Sequence, residues 1–138
     1  KPLAMAKLLS IPAYVVFDAD TDKTGASEVT KHKNDNKAIF KIQGHEAENE
    51  WPADNIIKDN LTCWKTKLTD AIKAEFGTDW EKYKNKSASF YDYAGDLDKN
   101  PLAIAKTLEL AWADKIVSTL LTDLADRIIA FAKRTVNL

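Results

Sequence analysis

The chain has 138 residues, with 20 Lys and Arg against 21 Asp and Glu, a formal charge of −1. That length suits one compact domain with a hydrophobic core, and the balanced charge excludes the global basic field of a protein that coats nucleic acid, although a local grip on DNA stays open. The one cysteine, Cys63, excludes an internal disulfide, and with only His32 and His45 beside it a Cys/His zinc site is poorly supplied.

In chain order the pattern predicts a helix over 2–9, a strand over 13–19 and a polar loop over 20–34. A short helix follows over 35–43, with Asp35 as N-cap, Ala38, Ile39 and Ile42 as its buried stripe, and Gly44 as its stop. Residues 45–59 read as an acidic, turn-like segment, and 60–64 (N-L-T-C-W) as a second strand in which Cys63 is a buried structural thiol. A helix over 66–76 carries Leu68, Ile72 and Phe76 on one face and stops at Gly77, and an aromatic, lysine-rich helix covers 80–93. Asn100-Pro101 is an N-cap and N1 pair opening a helix to Trp112, with Ile104, Ala105, Leu108, Ala111 and Trp112 as its stripe. The last helix, 116–135, places Val117, Leu121, Leu124, Ile128 and Phe131 on one side.

Two strands are too few for a stable sheet, so further strands are expected, either unrecognised in the chain or upstream in a longer parent. The start at Lys1, without Met and directly into a helical pattern, reads as a fragment of such a parent. No run reaches 18 apolar residues and no signal peptide opens the chain, so the expected compartment is cytoplasmic, with no membrane partner.

The chemistry concentrates in Val15-Val16-Phe17-Asp18-Ala19-Asp20-Thr21, an apolar run ending in two acids spaced i, i+2. Ligands of α/β sheets gather at the carboxyl ends of strands, which is where Asp18 and Asp20 fall. Residues two apart on a strand point the same way, so both carboxylates are expected to converge on one cation. Mg²⁺ takes a few carboxylates plus water and phosphate oxygens, which makes phosphate or phosphodiester chemistry the expectation.

The order of elements, with Y-V-V-F-D-A-D-T-D-K (14–23), N-D-N-K-A-I-F-K-I-Q-G (34–44), N-L-T-C-W-K-T-K-L-T-D-A-I (60–72) and K-N-P-L-A-I-A-K-T-L-E-L-A (99–111), resembles the second half of a Toprim domain. More closely, it resembles the C-terminal region of the OLD family of ATP-dependent endonucleases. The resemblance implies an α/β fold: a partial Toprim-like, Rossmann-like sheet over 1–76, and a mostly helical C-terminal extension of the same domain over 77–138. It implies a metal-dependent DNA endonuclease module with Asp18, Asp20 and Asp70 as ligands of Mg²⁺ or Mn²⁺ and Lys99 as a catalytic lysine. At Asp70 the pattern departs from the family, where a Leu-Glu pair is common; here Leu68 is followed by Thr69 and then Asp70.

The partners implied are DNA and the rest of a parent chain with an ABC-type ATPase domain, which would bind the ATP and assemble a homo-oligomer. Neither a G-x-x-x-x-G-K-[ST] signature nor the family's glutamate-bearing strand precedes Asp18, so the chain alone is expected to hold an incomplete site with little nuclease activity. Lys82, Lys84 and Lys86 flank Tyr83 and form a candidate DNA-contacting strip, against which stands an ordinary solvated helix face.

Two alternatives compete. Asp18-Ala19-Asp20-Thr21 also resembles the first motif of haloacid dehalogenase-like phosphatases, with Asp18 as nucleophile; Asp22-Lys23 after Thr21 and a poor acidic motif at Gly95-Asp96-Leu97-Asp98 count against it. The other is a helical interaction module without catalysis, using Trp51, Trp64, Trp80 and Trp112 with Tyr83, Tyr91 and Tyr93.

Overall fold

The structure, a computed structural model, describes residues 2–92 and 100–136. Its elements run α1 (Pro2–Leu8), β1 (Val15–Asp18), α2 (Ala26–Gln43), β2 (Ile56–Lys58), β3 (Leu61–Trp64), α3 (Leu68–Phe76), α4 (Asp79–Tyr91), α5 (Pro101–Ala113) and α6 (Thr119–Val136). The class is mixed α/β: among the described residues, six helices accompany a small three-stranded sheet. Two compact units divide the chain, one of residues 1–68 with 123–138, the other of 69–122.

The first unit is built on the sheet, whose order is β1-β3-β2. β1 pairs parallel with β3, Phe17 opposite Cys63 and Asp18 opposite Trp64, while β2 pairs antiparallel with β3. A parallel neighbour requires a crossover, which α2 supplies. β3 is therefore central, and all four of its residues are buried. The core gathers Ala19, Phe40, Leu61 and Cys63, with Phe17, Ile39 and Ile56 packed against it. Phe40 of α2 meets Phe17 of β1 edge to face at 5.5 Å, and burying a ring of that size contributes about 2–3 kcal/mol.

Three expectations need correction here. The loop expected over 20–34 is helical from Ala26, so α2 starts well before the expected 35 and Asp35 lies inside it, not at its cap. The face α2 buries carries Asn36 and Phe40, with Ile39 and Ile42 partly buried and Ala38 exposed. Polar residues occupy most of its first half, so hydrophobic periodicity gives no helical signal there. The second correction is β2, a three-residue strand inside the segment expected to be turn-like; Asp59-Asn60 joins it to β3 as a two-residue hairpin loop.

The second unit pairs α4 with α5. The Ser87 hydroxyl donates to the Ala103 carbonyl at 2.9 Å, and Ala103, Thr107 and Ala111 form the buried face of α5. This is the third correction: small residues let the two helices approach, so the face turns away from the larger stripe and leaves Trp112 65% exposed. The Asn100 side chain accepts from the amides of Leu102 and Ala103 with Pro101 in the first turn, as the sequence predicts. In α3, Ile72 and Phe76 are buried as expected, and Phe76 stacks edge to face on Trp80 at 5.9 Å.

Candidate functional site

The ladder between β1 and β3 continues past the last paired residues. The Ala19 amide donates to the Trp64 carbonyl at 2.8 Å and the Thr21 amide to the Lys65 carbonyl at 3.1 Å. Asp20 sits between these two anchors in the left-handed region, with φ 54°, and its carbonyl accepts from the Lys23 amide at 3.1 Å. Aspartate is among the residues that tolerate this conformation, and non-glycine residues held there collect at functional tips.

The left-handed kink alters one expectation. Both acids stand at the carboxyl end of β1, as the sequence indicates, but β1 ends at Asp18. The alternation that would aim both carboxylates the same way does not extend to Asp20, so each is directed by its own contacts. The Asp18 carboxylate accepts from the Leu68 amide at 3.0 Å, taking up one of the orphan donors at the start of α3. Oδ2 of Asp20 lies 3.4 Å from Nδ1 of His32 on α2, with both side chains about three-quarters buried. Beside them, Lys67 Nζ donates to Asp22 at 3.2 Å. Burial raises the Asp22 pKa, but the hydrogen bond and charge of Lys67 outweigh it and hold it below the usual carboxylate value.

α2 grips this tip with residues spaced by one turn. Phe40 packs on Phe17, the Asn36 amide donates to the carbonyls of Ala19 at 3.1 Å and Glu50 at 3.0 Å, and His32 reaches Asp20. The series 40, 36, 32 thus follows the chain from Phe17 through Ala19 to Asp20. Sequence reasoning missed His32, Asn36, Asp22 and Lys67. The i, i+4 spacing of His32 and Asn36 was the available signal, and it carries meaning only once the loop is known to be helical.

No three His, Cys, Asp or Glu side chains gather as a metal-holding group among the described residues. Asp70 is exposed in the first turn of α3 and belongs to the second unit. Mg²⁺ nevertheless binds through one or two carboxylates with water and substrate oxygens completing its shell, and the pair at the β1 tip suits that habit. The Thr21 hydroxyl next to Asp20 is buried with no hydrogen-bond partner, an arrangement that costs about 1–3 kcal/mol unless water or a ligand satisfies it.

The lysine strip does not lie on one face. Lys82 and Lys86 stand over the Tyr83 ring at 4.6 and 5.3 Å and approach Asp114 at 3.8 and 3.9 Å, while Lys84 approaches Glu81 at 3.8 Å. Tyr83 donates to Asp114 at 2.8 Å, so this carboxylate partly neutralises the two cations beside it. Lys99, Tyr93 and Gly95-Asp96-Leu97-Asp98 lie outside the described residues. No helix among the described residues is long and apolar enough to cross a membrane. No protein-family model, curated protein or solved structure matches the chain.

Proposed function

We propose that the chain carries the acidic half of a divalent-metal phosphodiester hydrolase site, with Asp18 and Asp20 as its ion-holding residues. One observation supports this above the others: Asp18 ends a strand of a parallel pair, Asp20 follows two residues on, and each side chain has a contact of its own. A divalent ion bound there would polarise a phosphoryl oxygen and supply hydroxide at neutral pH. Asp18 is held by the Leu68 amide, and Asp20 by its pinned backbone and by His32.

The finer reading rests on the sequence resemblance to the OLD-family endonucleases. It takes DNA as the substrate, Lys99 as the group that stabilises charge on the phosphate and Asp70 as a further ligand. Lys82, Lys84 and Lys86 would contact the DNA backbone, at the cost of their ion pairs with Asp114 and Glu81. An ATPase domain elsewhere in a parent chain would bind ATP and bring the modules together as an oligomer.

The test is calorimetric titration of the chain with Mn²⁺ and Mg²⁺, beside a variant carrying both Asp18→Ala and Asp20→Ala. Saturable binding lost in the double variant is the expected result. Equal binding by both proteins would refute the assignment. Beryllium fluoride separates the phosphatase alternative, because only a nucleophilic Asp18 would form a stoichiometric acyl-phosphate mimic.

A further inference from the structure

We propose that His32 is a positioning residue for Asp20, and that α2 exists in its full length partly to place it. This inference deepens the reading of Asp18 and Asp20 as ion-holding residues and rests on it. The backbone at Asp20 is held on both sides. Backbone bonds at Ala19 and Thr21 tie it to the β3 side, its own carbonyl closes a turn with Lys23, and φ is 54°. Asn36, only 2% exposed, spends its amide on the carbonyl immediately before Asp20. What remains is side-chain rotation, and His32 Nδ1, 3.4 Å from Oδ2, restrains it.

His32 and Asn36 are one helical turn apart and act on adjacent residues of the tip, so the helix face matches the acidic loop as a unit. A buried asparagine is expensive unless its bonds are made, and this one makes two, both to backbone carbonyls. Contact with Oδ2 leaves the direction of Oδ1 defined as well, since the carboxylate is planar. The effect on an ion would be preorganisation: a carboxylate already aimed loses no rotational freedom on binding. His32 therefore acts through Asp20 and is not itself assigned as a ligand.

The test compares Mn²⁺ affinity, read from the electron paramagnetic resonance signal of free Mn²⁺, for the parent, Asp20→Ala, His32→Ala and His32→Asn. Asparagine places an amide N–H donor near where Nδ1 stands. Loss of the positioning contact is expected to weaken binding by about 10–100-fold in His32→Ala, with His32→Asn recovering most of it. Amide spectra of all variants should overlay away from the tip. Parent-like affinity in His32→Ala, with binding abolished in Asp20→Ala, would overturn the role of His32 and leave the ion-holding reading standing. Failure of His32→Asn to recover affinity in a folded protein would also overturn it. Binding that ignores Asp20→Ala would overturn both. In the parent itself, Mn²⁺ should broaden the ring signals of His32 before those of His45, the other histidine of the chain, and the reverse order would count against the inference.

Discussion

At Cys63 burial and charge act in the same direction. The thiol is enclosed in the core, and the negative charge of Asp18 adds to that burial, so its pKa is pushed up to about 12. A thiol so high is almost wholly protonated at neutral pH, and the thiolate is the reactive form. Ellman's reagent at about pH 8 should leave the folded chain unmodified and react fully in denaturant; rapid labelling of the folded protein would show that the core opens.

Glu75 is the opposite case. Burial raises its pKa, but hydrogen bonds from the hydroxyls of Ser118 and Thr119 and the amides of Thr119 and Leu120 outweigh it and hold it below the usual 4.5. The carboxylate thus caps α6 from α3. Because the folded pKa is the lower one, its contribution is present above the unfolded value and is lost as pH falls through the folded value. Glu75→Gln should cost about 1 kcal/mol near pH 7, in the range of other helix caps, and the gap from the parent should close in acid. Urea midpoints at about pH 7 and pH 3 check this, and an equal gap at both would assign the effect to shape alone.

Among the helices, α2 shows how far a sequence can be read. Its end was legible: Gly44 adopts φ 82°, its amide caps the last turn, and nothing lies within 4 Å of where a Cβ would stand. Gly44→Ala should therefore destabilise through backbone strain alone, by about 1 kcal/mol, measurable by thermal unfolding. The start of α2 was not legible, because Gly25 gives no side-chain cap and the buried face there is His32 and Asn36, which look like solvent residues until their partners are known. β2 was hidden for a different reason: Ile56-Ile57-Lys58 is too short to show alternation, and pairing with β3 decides its state. The cap at Asn100 needs no partner beyond its own helix, which is why it could be read directly. Asn36→Ala, by contrast, would leave the Ala19 and Glu50 carbonyls without this donor. About 1–3 kcal/mol is the expected loss in a urea titration, and an unchanged midpoint would show that the grip on the tip carries no energy.

For the whole molecule, the mixed α/β class and the location of Asp18 and Asp20 at a strand end were legible, since both follow from one apolar run and its punctuation. The direction of each carboxylate was not, because it depends on contacts from residues distant in the chain: His32 lies 12 positions from Asp20, and Leu68 lies 50 from Asp18. Local pattern cannot encode such a meeting. The near-neutral net charge, −1, adds no general attraction for a polyanion, so any grip on a phosphodiester must come from local groups. The claim that the tip holds a divalent ion is tested most directly by adding substoichiometric Mn²⁺ to the ¹⁵N-labelled chain and following amide signals. The account predicts that Ala19, Asp20, Thr21 and Leu68 broaden first and together, and that Asp18→Ala with Asp20→Ala removes the effect. Broadening centred elsewhere, or unchanged in that double variant, would contradict it.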